Sequence, residues 1–248
     1  MTAGVARGSR TLGRGLAVLQ ALGSTADGCT VAELASATAL DRAVLYRLLE
    51  TLAGSGFVVR DGGTRRFRLG VALVELGARA SRGLEVRRVA VPVMKSLVDQ
   101  VGEAVCLAVR DRNDVVVVDR VEPPALFVRV GYYVGFRHPL IVGAHGRALL
   151  AYLGGAERER LAGRDSPLAA ELNATRSRGF ALSKDELERG ASGVAAPVLD
   201  RAGRPIASVG VVAPTARLAD PSMLGPRVHG LAVEVSRRLG FAGVAPAR

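Results

Sequence analysis

The chain has 248 residues, 49% of them hydrophobic, enough to build cores for two modest domains, which excludes a disordered protein. A net charge of +11 and a pI near 11.0 favour a polyanionic partner over an acidic one. Two cysteines, Cys29 and Cys106, cannot make a disulfide framework, no Cys/His spacing suits zinc, and no run reaches the roughly 18 apolar residues of a membrane helix; a cytoplasmic protein without metal or cofactor is expected.

The charge does not locate a surface by itself. Residues 1–90 hold thirteen arginines against seven acids and the remainder holds 21 basic against 16 acidic residues, so the surplus is spread along the chain.

In chain order, residues 1–9 are rich in Gly, Ala and Arg and read as a mobile arm. Leu12, Leu16, Leu19 and Leu22 recur at three- and four-residue spacings and predict a helix over 13–22 with those leucines inward. Thr30-Val31-Ala32-Glu33 is a capping box, in which hydroxyl and carboxylate satisfy each other's backbone donors, and opens a second helix with Leu34 and Ala35 inward. Thr38-Ala39-Leu40 then forms a turn, with Ala39 where a tight helix-turn-helix prefers glycine. Asp41 is expected to cap a third helix whose Val44, Leu45, Leu48, Leu49 and Leu52 form one apolar stripe. The opposite face carries Arg42, Ala43, Tyr46, Arg47 and Glu50. Residues 57–60, an Asp61-Gly62-Gly63 turn and residues 66–69 alternate as a hairpin with Arg65 and Arg66 near its tip.

Two amphipathic helices and a hairpin also occur in units that bind no DNA. Arginine placement separates the readings: one group sits at the start of the third helix and another on the hairpin, where a major groove and a phosphate backbone would be met.

A further helix begins at Val71, and Val86, Val89, Ala90, Val93, Met94, Leu97, Val98 and Val101 make another apolar face. Pro92 within it predicts a break or kink near Ala90, hence a linker helix over 71–91 between a winged domain at 10–70 and a second domain at 92–248. There, 105–110 and 115–121 flank a polar turn and read as a hairpin, 126–130 as a strand, 144–153 and 167–178 as helices, and 194–200 with 206–212 as a second hairpin. Asp220 with Pro221 is expected to cap a last helix that buries Leu224, Val228, Leu231, Val235 and Leu239. The class is α+β, an antiparallel sheet with helices against it.

Separated motifs then acquire a common meaning: Leu34-Ala35 with Arg47-Leu48-Leu49-Glu50-Thr51-Leu52; Phe67-Arg68-Leu69-Gly70; Pro139-Leu140 followed by Ala144, Gly146 and Ala148; Arg178-Gly179-Phe180-Ala181-Leu182; and Ala195-Ala196-Pro197-Val198 with Asp200 and Gly203. In this order and spacing the chain resembles the isocitrate-lyase-regulator (IclR) family of bacterial transcription factors over nearly its whole length. The resemblance implies a winged helix-turn-helix domain, a linker helix, a GAF-like effector domain, a small-molecule effector, and a homodimer or dimer of dimers on double-stranded operator DNA, usually as a repressor.

The departures matter. The family commonly starts its recognition helix with Pro, a basic residue, Ser and Thr, whereas this chain has Asp41, Arg42, Ala43 and Val44. Arg42 and Arg47, beside Ala43 and Tyr46, are then the main DNA-contact candidates, with Arg65 and Arg66 on the flanking backbone. Arg47 reads a base, anchors a phosphate, or pairs with Glu50. The resemblance places effector contacts at Ile141, Gly143, Ala144, His145, Gly193, Val194, Gly210 and Val212, and several of these lack the family's polar side chains. Either the pocket is larger and more apolar, suited to an aromatic or alkyl acid whose carboxylate meets the backbone amides at the Ala144 helix start, or the domain serves oligomerisation alone. Catalysis is the weaker alternative: His138, His145 and His229 lie in no hydrolase or zinc motif, and Cys106 reads as a packed small hydrophobe. His145 is a ligand contact or a solvent-exposed residue at a helix start. A protein-interaction adaptor is the third reading.

Overall fold

The computed structural model describes residues 9–124 and 130–243; the expected arm before Ser9 and the expected strand at 126–130, up to its last residue, lie outside them. The chain divides into two compact units, the first ending at Gly83 and the second beginning at Leu84.

In the first unit, α1 (Arg10–Gly23) opens on Ser9, whose hydroxyl accepts from the Leu12 N–H at 3.3 Å. The capping box is formed in full at the start of α2 (Val31–Thr38): Thr30 N–H donates to Glu33 Oε2 at 2.7 Å and Glu33 N–H to Thr30 Oγ1 at 3.3 Å. Ala39, at φ +54°, turns the chain into α3 (Arg42–Gly54). Asp41 holds the N-cap position, but its side chain makes no cap bond; its extended backbone and a carbonyl that accepts from Leu45 N–H at 3.0 Å do the capping. β1 (Val58–Arg60) and β2 (Phe67–Leu69) pair antiparallel as the wing, and Cys29 bridges Phe67 through two backbone bonds of 2.7 and 2.9 Å. Val18, Leu22, Leu34, Leu45, Leu49 and Phe67 meet beneath them.

The face of α1 differs from expectation. Gly15, Val18 and Leu22 point inward, while Leu12 and Leu16 are 62% and 50% exposed. At 3.6 residues per turn the buried face lies roughly a quarter-turn from Leu12, so only the last part of the leucine series reaches the core. At the exit of the wing, Gly70 passes so close to Gly56 that a Cβ there would stand 2.1 Å from the Gly56 carbonyl oxygen. Only glycine fits. α4 (Val71–Arg82) follows, with Val71 and Val74 about 70% exposed.

In the second unit, α5 (Glu85–Val101) runs through Pro92 without the expected interruption, which falls instead at Gly83–Leu84. An internal proline costs about 3 kcal/mol. The helix buries Val86, Val93, Met94, Leu97 and Val98, each worth about 1.5–3 kcal/mol, and packing wins.

Six antiparallel strands form one sheet: β3 (Val105–Asp111), β4 (Asp114–Val121), β5 (Arg137–Pro139), β6 (Ala181–Lys184), β7 (Ala191–Leu199) and β8 (Pro205–Pro214), in the order β5-β4-β3-β8-β7-β6. Alternation sends Val105, Leu107, Val194, Val209 and Val211 to one face, against α5 and α9 (Gly225–Arg238). Cys106, Ala108 and Val117 go to the other, against residues of α6 (Gly143–Leu150) and α8 (Pro167–Arg178). α7 (Gly155–Ala162) links these two helices. Asp220 caps a single 3₁₀ turn, Pro221–Leu224, rather than the long helix; Pro226 fits only a first helical turn, so α9 starts afresh at Gly225.

Candidate functional site

The first site is the outer face of α3. Arg42, Ala43, Tyr46, Arg47 and Glu50 are all exposed, Tyr46 by 57%, because the stripe of Leu45 and Leu49 turns the opposite face to solvent. Among the described residues no ion pair holds Arg42 or Arg47, so the expected alternative of an Arg47–Glu50 pair is not formed. Two guanidinium groups therefore stand ready for an anion.

The wing separates its two arginines. Asp61 Oδ1 accepts from Gly63 N–H at 3.0 Å and Thr64 N–H at 2.8 Å, bonds that hold its carboxyl below the usual carboxylate range and shape the loop. Arg65 sits exposed at φ +57°. Arg66 instead turns inward: Nη2 donates to Gly28 O at 3.0 Å and to both Glu33 carboxylate oxygens at 3.1 and 3.0 Å. Its charge is spent on bracing the wing against α2.

The second site lies at one end of the sheet, on the α6 face. A pocket with about 430 Å³ of empty space, mouth included, is lined by Tyr132, Phe136, Ala144, His145, Leu187 and Val212, together with Ser183, Gly193 and a rim carrying Glu186 and Glu188. Thus Ala144, His145, Gly193 and Val212 come together as expected, and the other four expected contacts do not line it. Val194 points to the opposite sheet face, Gly210 is covered by the Ala195 side chain, and Ile141 is 41% exposed outside the lining. Gly143 sits behind the lining, against Leu187, and its N–H donates to Glu186 Oε2 at 3.1 Å. One of the helix-start amides expected to receive an effector carboxylate, that of Gly143, is therefore occupied.

His145 is only 2% exposed, which overturns the expectation of a solvent-facing side chain. Its Nδ1 lies 2.9 Å from Ser208 Oγ, its ring stacks on Tyr132 at 5.3 Å, and its buried Nε2 has no hydrogen-bond partner among the described residues. Burial, then the neighbouring His138, pushes its pKa down to about 3, so the imidazole is neutral. Tyr132 is fixed in turn. His138 Nδ1–H donates to Pro139 O at 3.0 Å, leaving Nε2 to accept from the Tyr132 hydroxyl at 2.9 Å. Cys106 is packed at 0% exposure with its thiol pushed up to about 12, as a small hydrophobe would be.

Sequence reasoning missed Tyr132, Phe136, Ser183, Glu186 and Glu188. The last three lie in a mainly polar run between two short apolar segments, a weak loop signal; the first two carry none until the fold brings them beside α6.

Residues 11–62 match the model of the IclR helix-turn-helix domain and residues 78–237 that of the bacterial transcriptional regulator IclR C-terminal domain. The chain belongs to the IclR family. Among its relatives is the glycerol operon regulatory protein of Streptomyces griseus, 32% identical over 251 residues, covering 95% of this chain and 98% of that one. The DNA-binding transcriptional repressor YiaJ of Escherichia coli (strain K12) is 27% identical over 252 residues, covering 94% and 89%. In structure, the chain is similar to an IclR homolog complexed with 4-hydroxybenzoate from Microbacterium hydrocarbonoxydans, with a TM-score of 0.77, 26% identity and coverage of 92% and 98%. This IclR-family protein is accordingly a DNA-binding transcriptional regulator with a winged helix-turn-helix domain and a C-terminal α+β domain, and its relatives are named as regulators rather than enzymes. No helix among the described residues is long and apolar enough to cross a membrane.

Proposed function

We propose that the chain is a repressor whose operator affinity is set by a small ring-sized or short-chain ligand held between α6 and the β7–β8 end of the sheet. The observation that carries this reading is the aromatic-lined pocket with a buried, unpartnered His145 Nε2 in its wall. A related structure complexed with 4-hydroxybenzoate supports a ligand of this size. Uncovered Leu12, Leu16, Val71 and Val74 in the first unit support a homodimer. Such a dimer sets two α3 helices into successive major grooves about 34 Å apart, with Arg42 and Arg47 toward the bases and Arg65 on the backbone. Ligand coupling of this kind is typically about 1–3 kcal/mol, a several-fold to hundredfold change in operator occupancy.

The test is a salt titration of binding to DNA upstream of the protein's own coding region, against a scrambled duplex of equal length. A large specificity ratio with a steep salt slope supports an operator-reading regulator. Equal weak binding to both duplexes directs a genome-wide fragment selection. If a small-ligand panel leaves affinity for the selected operator unchanged, the C-terminal domain serves oligomerisation alone.

A further inference from the structure

Resting on that reading of the pocket, the charges around it define what it accepts. Among the described residues lining it there is no lysine or arginine, and the two ionisable groups at its rim are the carboxylates of Glu186 and Glu188. Glu188 Oε2 accepts the Gly131 N–H at 3.0 Å and so closes one side of the mouth. Glu186 does more: Oε2 takes the Gly143 N–H at 3.1 Å, and Oε1 receives Arg147 Nη2 at 2.5 Å. The Gly143 N–H at the start of α6 and the nearby Arg147 guanidinium are thus both engaged by one carboxylate of the chain itself. A ligand carboxylate entering here finds its natural partners occupied by a like charge. The interior is apolar, through Ala144, Phe136, Leu187 and Val212, and His145 in its wall has a buried Nε2 with no hydrogen-bond partner among the described residues. That imidazole is neutral, since burial pushes its pKa down to about 3, so it offers a hydrogen bond and no positive charge.

We infer that the effector is an uncharged molecule with an apolar body of ring or short-chain size and one hydrogen-bonding group directed at His145 Nε2, and that carboxylates are excluded because Glu186 occupies the anion position in cis. Gly193 contributes to the shape. A Cβ there would stand 2.9 Å from Ser183 Oγ, so the glycine leaves space between β6 and β7 for the serine and the ligand's edge.

Three probes of one size and three charges test this: benzamide, benzoate and benzylamine, titrated calorimetrically into the full-length protein at pH 7.5. Benzamide, able to donate or accept at His145, is expected to bind at least about tenfold more tightly than benzoate, because like charges brought together across a site oppose binding. In Glu186→Gln, which keeps an oxygen for the Gly143 N–H and releases Arg147 from its counter-charge, benzoate is expected to gain about tenfold while benzamide is unchanged. Benzoate binding as tightly as benzamide to the unaltered protein, or benzylamine binding most tightly, overturns the inference and leaves the effector pocket standing. No binding by any of the three overturns the effector reading and the inference together.

Discussion

Arg66 Nη2 lies 3.1 and 3.0 Å from the two carboxylate oxygens of Glu33, and the nearer, Oε2, is the same atom that accepts the Thr30 N–H at the start of α2. One carboxylate therefore caps the start of a helix and anchors the wing. The Arg66 side chain also holds the Gly28 carbonyl, where the chain enters the bridge to Phe67. Substituting Arg66 and Arg65 should consequently have different signatures. Arg66→Ala is expected to lower the melting temperature and weaken DNA binding through a loosened wing, with the salt slope unchanged. Arg65→Ala should leave stability alone and reduce the logarithmic salt slope by about 0.9, one phosphate contact. Paired thermal melts and salt titrations decide it; a reduced slope for Arg66→Ala would return that residue to the DNA contacts.

Ala39 turns the helix-turn-helix at φ +54°, a conformation that crowds the Cβ of an L-residue. The strain is worth about 1–2 kcal/mol, partly offset by the greater backbone entropy that glycine loses on folding. Ala39→Gly is expected to stabilise the protein by about 1 kcal/mol, read as a higher urea midpoint at constant slope. A destabilised variant would mean that the methyl group packs more usefully than its strain costs.

The contrast between Thr30 and Tyr132 shows what was legible in the chain. A capping box is local: the hydroxyl at Thr30 and the carboxylate at Glu33 find each other within one helical turn, so the motif alone announces the start of α2. The same holds for the hairpins of β3–β4 and β7–β8, whose apolar runs and polar turns are contiguous. The pocket is assembled from residues near 130–136, 144–145, 183–193 and 212, which no spacing rule connects. Of the residues named by resemblance, Ala144, His145, Gly193 and Val212 line this pocket, while Val194 does not, because neighbours on a strand face opposite ways. Glu186 was invisible for another reason. Its role depends on reaching Gly143 and Arg147 across roughly forty positions of sequence, a contact that only the packing of β6 beside α6 creates.

Arg47 has no side-chain partner among the described residues, whereas Arg66 and Arg147 are consumed by glutamates. If it reads guanine, Arg47→Ala should cost about 1–3 kcal/mol of discrimination at one operator position, with the oligomeric state unchanged in sedimentation. If it holds a phosphate, affinity should fall uniformly across operator variants. Affinity unchanged on every duplex would remove Arg47 from the interface.

His145 carries a pH signature that the carboxylates do not share. Folded, its pKa is about 3; unfolded, it returns to the ordinary value of 6.5, so between these limits the unfolded chain binds a proton that the native chain refuses. Stability from this residue is complete above pH 6.5 and declines by about 1.4 kcal/mol for each pH unit below it. His138, also lowered by burial, acts in the same direction. Glu157, Asp200 and Asp220 are held below their ordinary carboxylate values and lose their contributions only as the pH falls below that range. The window from 6.5 to 5 therefore belongs to His145 and His138. Melting temperatures of the parent protein should fall across it, and His145→Gln, which cannot titrate, should flatten most of that slope. A variant whose melting curve keeps the parent's slope between pH 6.5 and 5 would show that His145 is protonated in the native fold, with its Nε2 in contact with water.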